Sequence, residues 1–312
     1  MDKSTLIECH ERISPYIHRT PVLTSKSIDE IIGAQIVFKC ENFQKMGAFK
    51  MRGATNAILN LSKENKKKGV VTHSSGNFAQ ALALAAKSVG VKAYIVMPSN
   101  APDVKIKAVE GYGGNIMLCE PTLAAREFSS YKISNETGAT FIHPSNDINV
   151  IVGNSTSALE LLQNNPDLEY IVTPVGGGGL IAGTALAASF FGNQIKVIGA
   201  EPKEVDDAFR SLKSGKIEFN DSTDTIADGL KTNLGDVNFP IIQKLVDEII
   251  LVDESEIMEA MKVVYERLKI VIEPSSATAL AAVFKEKQRF KNRKIGVILS
   301  GGNVDLSKLK FA

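Results

Sequence analysis

An α/β fold with an open, largely parallel sheet is predicted by three features of this 312-residue sequence. Short β-branched segments alternate with alanine-rich helical segments along most of the chain, which is typical of parallel strands joined by crossover helices. Several strand segments are apolar at every position, as in strands buried on both faces. A composition of 44% hydrophobic and 23% charged residues supplies a core for one large or two smaller domains.

The β-branched segments and the alanine-rich segments predict the individual strands and helices. The predicted strands are Ile36–Cys40, Gly69–His73, Ala93–Met97, Asn115–Leu118, Thr140–His143, Tyr170–Val175, Lys196–Ala200, Glu248–Val252 and Lys294–Leu299. The predicted helices include Phe78–Ser88, Pro102–Glu110, Thr122–Thr137, Ser255–Leu268 and Pro274–Phe290. Many of them begin with a capping residue or a proline in the first turn, which supports their assignment.

Charge and hydropathy argue against nucleic-acid and membrane partners. Thirty-six Lys and Arg residues against 35 Asp and Glu leave a formal charge of +1, so the chain offers no basic field. The longest apolar run, Leu180–Phe191, has 12 residues and predicts a buried helix, because a membrane span needs about 20. The partners that remain are small molecules and a second copy of the chain.

The N-terminus and the cysteines indicate a cytoplasmic protein. Charged residues interrupt the first 12 positions, where a secretory signal would need an apolar stretch. The three cysteines, Cys9, Cys40 and Cys119, form no CxxC pair. Reduced thiols are typical of the cytoplasm, so we expect the protein there.

The segment with the clearest chemistry is a strand that runs into Gly176-Gly177-Gly178-Gly179 and then into an apolar helix. Residues without Cβ atoms let backbone N–H groups face a phosphate at the helix N-terminus. Gly177, Gly179 and Ala182 also satisfy the GxGxxG/A pattern, with Glu201 following 24 residues after Gly177. Three roles of this segment are therefore possible: it binds a monophosphate, it binds a dinucleotide, or it is a flexible turn without ligand.

Lys50 is a candidate nucleophile. Its neighbours Phe49 and Met51 are apolar, and desolvation would lower the pKa of its ammonium group and free the amine for Schiff-base chemistry. A surface lysine whose stem lies along the protein is the alternative.

Two further strand ends carry polar residues. Ser74-Ser75-Gly76-Asn77 predicts a carboxylate pocket of hydroxyls and helix N–H groups, although capping of the helix by Ser75 or Asn77 is the simpler interpretation. Ser300-Gly301-Gly302 follows the last strand. Ligands of open α/β sheets collect at the carboxyl edge, where all these segments end.

Along essentially the whole chain these segments resemble the fold-type II pyridoxal-phosphate enzymes, in particular the serine racemase and serine/threonine dehydratase group. The motifs that carry the resemblance are Phe38-Lys39-Cys40-Glu41, Gly47-Ala48-Phe49-Lys50-Met51-Arg52-Gly53-Ala54, Ser74-Ser75-Gly76-Asn77, Gly176–Gly179, Thr225–Leu230, Ile272-Glu273-Pro274 and Ser300–Leu306. One departure is Phe78, where this group usually has His.

The resemblance assigns roles to individual residues. Lys50 would carry pyridoxal phosphate, Gly176–Gly179 would hold its phosphate and Asn77 would bind the ring hydroxyl. Ser300 would face the pyridine nitrogen and leave it largely unprotonated, which favours elimination. Ser74, Ser75 and neighbouring N–H groups would bind the substrate carboxylate, and Asn77 would also belong to the substrate-binding residues. The domains implied are a large one of residues 1–68 plus 147–312 and a small inserted one of residues 69–146, with the cofactor between them and a homodimer as the assembly.

The resemblance implies dehydration and deamination of L-serine or L-threonine to a 2-oxo acid and ammonia. Serine racemisation is the close alternative, because Ser75 could exchange the α-proton on the face opposite Lys50. Arg126 occupies the position of a substrate-side arginine and would admit 3-hydroxyaspartate, unless it is an exposed helix residue. The rivals are a nicotinamide dehydrogenase, in which Lys50 has no role, and a catalytically silent binding protein, against which intact Lys50, Ser75 and Ser300 argue.

A metal site is a further expectation. The acidic segment after the strand at 196–200 offers oxygen ligands that suit Mg²⁺ or Ca²⁺. By resemblance the ligands would be Glu201, Asp207 and the carbonyl oxygen of Val205. The alternative is that Asp206 or Asp207 caps the helix at 208–212.

Overall fold

The structure is a computed structural model and describes residues 1–306. The strands in this part of the chain are β1 Val22–Leu23, β2 Gln35–Cys40, β3 Val70–His73, β4 Ala93–Pro98, β5 Asn115–Cys119, β6 Thr140–Phe141, β7 Tyr170–Pro174, β8 Lys196–Pro202, β9 Glu248–Val252 and β10 Lys294–Leu299. The α-helices are α1 Lys3–Ile13, α2 Lys26–Ile32, α3 Lys50–Leu59, α4 Lys63–Lys68, α5 Asn77–Ser88, α6 Asp103–Gly111, α7 Leu123–Thr137, α8 Ile148–Asn164, α9 Gly179–Phe191, α10 Asp207–Ser214, α11 Phe239–Leu245, α12 Glu254–Arg267, α13 Pro274–Lys285 and α14 Lys287–Phe290.

Two sheets organise the chain. Six strands in the order β1-β2-β10-β7-β8-β9 form one sheet, in which only the pairing of β1 with β2 is antiparallel. Four parallel strands in the order β5-β4-β3-β6 form the other. The predicted α/β class with a largely parallel sheet is confirmed, and the smaller sheet lies wholly within residues 69–146.

Helices cover both faces of the six-stranded sheet, as parallel strands require. Apolar residues of α2, α12 and α13 pack on one face. Residues of α8, α9 and α11 pack on the other. The helix predicted at 180–191 is α9, and its residues 179–188 are buried. No helix within residues 1–306 is long and apolar enough to cross a membrane.

Three element predictions need correction. The segment Pro274–Phe290 is two helices, because Glu286 leaves helical geometry and Phe290 then turns into the core against Tyr170. The strand predicted at 140–143 ends at Phe141, since the His143 ring accepts the N–H of Asn146 in a turn. Strand β1 was not predicted, because two residues are too few to show a period.

A buried ion cluster fixes the start of α3. The guanidinium of Arg52 makes two bonds to the Glu41 carboxylate, at 2.7 and 2.9 Å, and two to that of Glu160, at 2.8 and 2.9 Å. The Lys39 ammonium donates to Glu160 at 2.6 Å. All four side chains are at most 1% exposed. We call these four residues the Arg52 cluster, and it anchors the helix that carries Lys50 to β2 and α8.

Candidate active site

The candidate site lies where β2, β3, β7 and β10 end. Four segments follow these strand ends, namely 41–50, 74–77, 175–179 and 300–303. The Phe49 N–H donates to the Ser300 carbonyl at 3.0 Å, and Ala48 forms a bridge with Gly301. The carboxyl edges of the strands therefore bring Lys50 and Ser300 together, as the sequence predicts.

Lys50 is the first residue of α3, and its ammonium group points into the protein. Nζ donates to the carbonyl of Pro144 at 2.7 Å and lies 5.0 and 5.6 Å from the ring centres of Phe49 and Phe78. Burial lowers the pKa of Lys50 to about 8, against the opposing charge of Glu273. The residue is partly buried and its Nζ is bonded inside the protein, which favours a desolvated lysine over the surface alternative. A substantial neutral fraction of the amine is available near pH 8.

The glycine loop is packed rather than flexible. Residues 171–180 are all buried. A Cβ on Gly176 would lie 2.8 Å from Leu230 Cα, one on Gly177 would collide with Ser145 Oγ, and Gly178 has φ of +79°. Glycine is needed here for close approach and for left-handed backbone, so the flexible-turn alternative is wrong.

The N–H groups of this loop are arranged as an anion site. No residue of the described chain accepts a hydrogen bond from the N–H groups of Gly176–Gly179. Buried backbone N–H groups nearly always have partners. They lead into the N-terminus of the 13-residue helix α9, whose dipole favours negative charge. A phosphate fits this cradle in charge and hydrogen-bonding capacity.

Asn238 stabilises the cradle from behind and was missed by sequence reasoning. Its Nδ2 donates to the carbonyls of Gly177 and Ser145 at 2.8 and 3.2 Å, and the side chain is fully buried. Asn238 comes 61 residues after Gly177 along the chain. No local pattern marks such a contact, because it depends on the path of the chain between the two residues.

Asn77 is held by two other polar residues. Its Nδ2 donates to both carboxylate oxygens of Glu273, at 3.0 and 3.1 Å, and its Oδ1 accepts from Asn303 at 2.9 Å. Burial raises the pKa of Glu273 to about 7. Sequence reasoning matched the motif around Glu273 but assigned it no role. The signal available was an acidic residue directly before the proline that begins α13.

Ser74 and Ser75 precede α5 without capping it through their side chains. The N-cap is Gly76, and it has no side-chain cap. Asn77 is already the first helical residue, so the capping alternative for Ser75 and Asn77 is wrong. The Ser74 hydroxyl accepts the Gly76 N–H at 3.3 Å. Ser75 is partly exposed, and no described residue hydrogen-bonds to its hydroxyl.

Ser300 is buried at the end of β10. Its hydroxyl lies 3.1 Å from the Ser276 hydroxyl, which itself donates to the Gly301 carbonyl at 2.6 Å and accepts the Gly301 N–H at 2.7 Å. A neutral hydroxyl pair therefore occupies this position, and Ser276, at the start of α13, is a contact that the sequence did not indicate.

Arg126 is partly buried on α7, so it is neither an exposed helix residue nor a core residue. Burial lowers the pKa of His73, and the Arg126 charge lowers it further. His73 lines a cavity of about 280 Å³ with Glu127, Tyr131 and His143. Burial lowers the pKa of His143 to about 4, so its ring is neutral at pH 7.

The predicted metal ligands lie at and just after the end of β8, with Glu201 in the strand itself, Val205 in the following turn and Asp207 at the start of α10. Glu201 and Asp207 are fully buried. The Glu201 carboxylate caps α10, accepting from the N–H groups of Ala208 at 3.0 Å and Phe209 at 2.8 Å, which corrects the expectation that Asp206 or Asp207 is the cap. Burial and the charge of Asp207 raise the pKa of Glu201 well above its usual value. No group of three His, Cys, Asp or Glu within residues 1–306 forms a metal site by side chains alone.

These features define an enzyme that uses a phosphorylated aldehyde cofactor. Consistent with this, residues 13–301 match the family model of pyridoxal-phosphate-dependent enzymes, and the chain belongs to that family. It is 51% identical over 306 residues to the serine racemase of Dictyostelium discoideum, covering 97% of this chain and 94% of that protein. It is 47% identical to the beta-hydroxyaspartate dehydratase of Paracoccus denitrificans, covering 98% and 97%.

The fold agrees with the sequence relatives. The crystal structure of the Dictyostelium discoideum serine racemase superposes with a TM-score of 0.94 at 50% identity, covering 98% of this chain and 99% of that one. The resemblance to fold-type II pyridoxal-phosphate enzymes is thereby confirmed, and the nicotinamide dehydrogenase is excluded as a family.

Proposed function

We propose that this enzyme eliminates water from L-serine or L-threonine. Hydrolysis of the resulting free imine takes one water back up and releases a 2-oxo acid and ammonia. When bound, pyridoxal phosphate supplies an electron sink for the bonds at the substrate Cα. The residues present fit it: the unpaired N–H groups of Gly176–Gly179 would hold the phosphate, Asn77 the ring hydroxyl and Ser300 the ring nitrogen.

Lys50 carries this proposal. A general base works best when its pKa lies near the operating pH, and Lys50 has a pKa of about 8. Its amine would accept the α-proton of the substrate. The Pro144 carbonyl orients the amine, and the apolar rings of Phe49 and Phe78 lie 5.0 and 5.6 Å from it. Ser74, Ser75 and the N–H groups at the start of α5 would bind the substrate carboxylate.

The test of this function is product analysis with purified enzyme and L-serine, D-serine, L-threonine and 3-hydroxyaspartate. We expect pyruvate or 2-oxobutanoate together with ammonia from the L-substrates. Borohydride reduction should place the cofactor on Lys50, and peptide mapping to another lysine would contradict the site. Release of no 2-oxo acid from any substrate would contradict the reaction.

Racemisation of serine is the second candidate function. It is favoured by the serine racemase relative and by Ser75, whose hydroxyl has no protein partner among the described residues. A second proton-transfer group on the face opposite Lys50 is what racemisation requires and dehydration does not.

A substrate with a second carboxylate is the third candidate, and Arg126 favours it. The charge of Arg126 acts on His73, which lines a cavity of about 280 Å³ with Glu127, Tyr131 and His143. The dehydratase relative is named for beta-hydroxyaspartate. Replacement Arg126→Met should lower activity on 3-hydroxyaspartate at least about tenfold relative to L-serine, since charge-assisted bonds to a carboxylate are the strong ones.

We also propose that Glu201, Asp207 and the carbonyl of Val205 bind Mg²⁺ or Ca²⁺. Two buried carboxylates side by side, with no described Lys or Arg bonded to either, fit a hard cation. A cation at a hundredfold its dissociation constant should add about 2.7 kcal/mol of stability. Melting temperatures in Mg²⁺, Ca²⁺ and chelator test this, with Asp207→Asn losing the increment and exposed Glu204→Gln keeping it.

The remaining proposals concern organisation. We propose residues 69–146 as an inserted domain, supported by the separate four-stranded sheet they contain. A homodimer is proposed from the family, and light scattering would test it. A cytoplasmic location is supported by three free cysteines, of which Cys9 and Cys40 are buried.

A further inference from the structure

The ion pair of Lys105 and Asp228 links the part of the chain that contains the four-stranded sheet to the part that contains the six-stranded sheet. The pair lies near the candidate active site and is not one of its members. Lys105 Nζ lies 2.6 Å from Asp228 Oδ2, and the two residues are 123 positions apart. Lys105 is on α6, which follows β4 of the four-stranded sheet. Asp228 opens a short 3-10 helix, Asp228–Leu230, in the connection between β8 and β9 of the six-stranded sheet.

The Asp228 end of the pair contacts the cofactor side of the site. Leu230 packs so closely on the glycine loop that a Cβ on Gly176 would lie 2.8 Å from its Cα. The Gly229 N–H donates to the Ser275 hydroxyl at 3.0 Å, two residues beyond Glu273. A displacement of Asp228–Leu230 would therefore reach both the phosphate cradle and the start of α13.

The Lys105 end leads to the substrate side. Val109 of α6 is fully buried in the same apolar cluster as Phe78, Leu82 and Ala83 of α5. Helix α5 begins at Asn77, two residues after Ser75. Packed helices move as units because protein interiors are close-packed. The position of Lys105 is therefore linked to that of the segment proposed to bind the substrate carboxylate.

We propose that Lys105 and Asp228 are a positioning pair, which holds the serine segment 74–77 at the correct distance from the glycine loop. This inference rests on the proposed function, because it concerns where the substrate carboxylate is held relative to the cofactor. The two side chains are 29% and 49% exposed. Exposed pairs contribute little to global stability, so their removal should change geometry at the site without unfolding the enzyme.

The test compares Lys105→Met, Asp228→Asn, the double variant and the reversed pair Lys105→Asp/Asp228→Lys. Each single variant should raise the KM for the preferred substrate roughly three- to tenfold, as expected for a coupled pair, with kcat less affected. The double variant should match the single ones, and the reversed pair should recover most of the loss. The wild-type KM should rise with salt, because ions screen partly exposed charges. Lys107→Met, an exposed lysine on the same helix, is the matched control.

A second readout needs no cofactor and no activity. Deuterium uptake of the cofactor-free protein at residues 226–230 should be faster in Lys105→Met and Asp228→Asn than in Lys107→Met. If both variants behave like the control in KM and in uptake, the pair has no positioning role. If Lys105→Met alone raises KM, Lys105 binds substrate directly and the inference is wrong. An enzyme inactive on every β-hydroxy amino acid would contradict the proposed function instead, and the uptake comparison would still decide on the pair.

Discussion

Lys50 and Arg52 are two residues apart on one helix, yet their surroundings are opposite. Arg52 is surrounded by carboxylates, and every nitrogen of its guanidinium group donates to an oxygen within 3.5 Å. Lys50 has one carbonyl partner and two aromatic rings. The first turn of α3 therefore places Arg52 in an ion cluster in which every guanidinium nitrogen is bonded. The same turn places Lys50 in the candidate active site, where its ammonium group has one acceptor and can bond to a ligand.

The pKa directions express this difference. Against the effect of burial, Glu41 and Glu160 raise the pKa of Arg52, and hydrogen bonds from His10 and Arg52 hold the pKa of Glu160 well below its usual range. Both groups stay charged. In the site, burial prevails and moves Lys50 and Glu273 toward their neutral forms, with pKa values of about 8 and 7. Lys50, which is proposed to exchange a proton, and Glu273, which holds Asn77, have pKa values near neutral pH, whereas the groups of the Arg52 cluster are fixed in charge.

Lys50→Ala is the test of the comparison between Lys50 and Arg52 with the largest expected effect on activity. It should abolish dehydration and racemisation together, a loss of about 10⁴-fold or more, because both need the same amine. Product assays and borohydride labelling measure it, and exposed Lys67→Ala is the matched control. Full folding with no cofactor attachment is expected. Residual activity near that of wild type would place the base elsewhere.

Ser75→Ala separates the two activities. The Thr20 hydroxyl, which contacts the Arg52 cluster, donates to Glu41 at 2.6 Å, whereas the Ser75 hydroxyl has no described partner and is available for proton transfer. Racemisation should fall by about 10² to 10⁴-fold and dehydration of L-serine far less. Dehydration of D-serine should also fall, since its α-proton would face Ser75. Parallel loss of both activities on L-serine would instead make Ser75 a carboxylate-binding residue.

The sequence predicted the strand ends and the residues that follow them, because glycine, serine and lysine at those points leave local signals. It could not predict Asn238 or Ser276, which reach the site from loops and helices far along the chain. It also left Glu201 without its capping role, since a carboxylate seven residues before the helix N–H groups follows no capping pattern.

The Arg52 cluster shows the same limit. Lys39, Glu41 and Arg52 all lie in the motifs that carry the family resemblance, but their fourth partner, Glu160, is on α8, 108 residues after Arg52. Local sequence shows three charged residues, one on the strand predicted at 36–40 and two after it. Only the tertiary contact shows that they neutralise one another in the core.

Arg52→Met tests the structural half of the comparison. Removing one partner leaves Glu41 and Glu160 buried without it, which should lower the free energy of unfolding by about 3–5 kcal/mol. Urea unfolding of the cofactor-free protein measures the change. Loss of the exposed pair in Lys68→Met, whose partner is Glu64, should lower the free energy of unfolding far less, because solvent screens exposed charges. Similar losses in the two variants would mean that burial adds nothing to the Arg52 contacts.

The two buried carboxylates, Glu160 and Glu273, should respond to pH with opposite sign. Glu273 has a raised pKa in the folded state, so the folded protein binds more protons than the unfolded chain between pH 4.5 and 7. Its contribution to stability is present below pH 4.5 and declines by roughly 3 kcal/mol as pH rises to 7. Glu160 has a lowered pKa, so its contribution is present above pH 4.5 and declines only as pH falls further.

Unfolding free energies of wild type, Glu273→Gln and Glu160→Gln, measured without cofactor across pH 4 to 8, separate these effects. The free energy of unfolding of Glu273→Gln should rise steadily relative to that of wild type from pH 4.5 to 7. The difference for Glu160→Gln should stay constant over that range and shrink only below it. This contrast depends on local surroundings alone, since both groups are carboxylates buried in one protein. If the Glu273 difference is also flat from pH 4.5 to 7, Glu273 is ionised in the folded state like Glu160, and the site is no more poised than the Arg52 cluster.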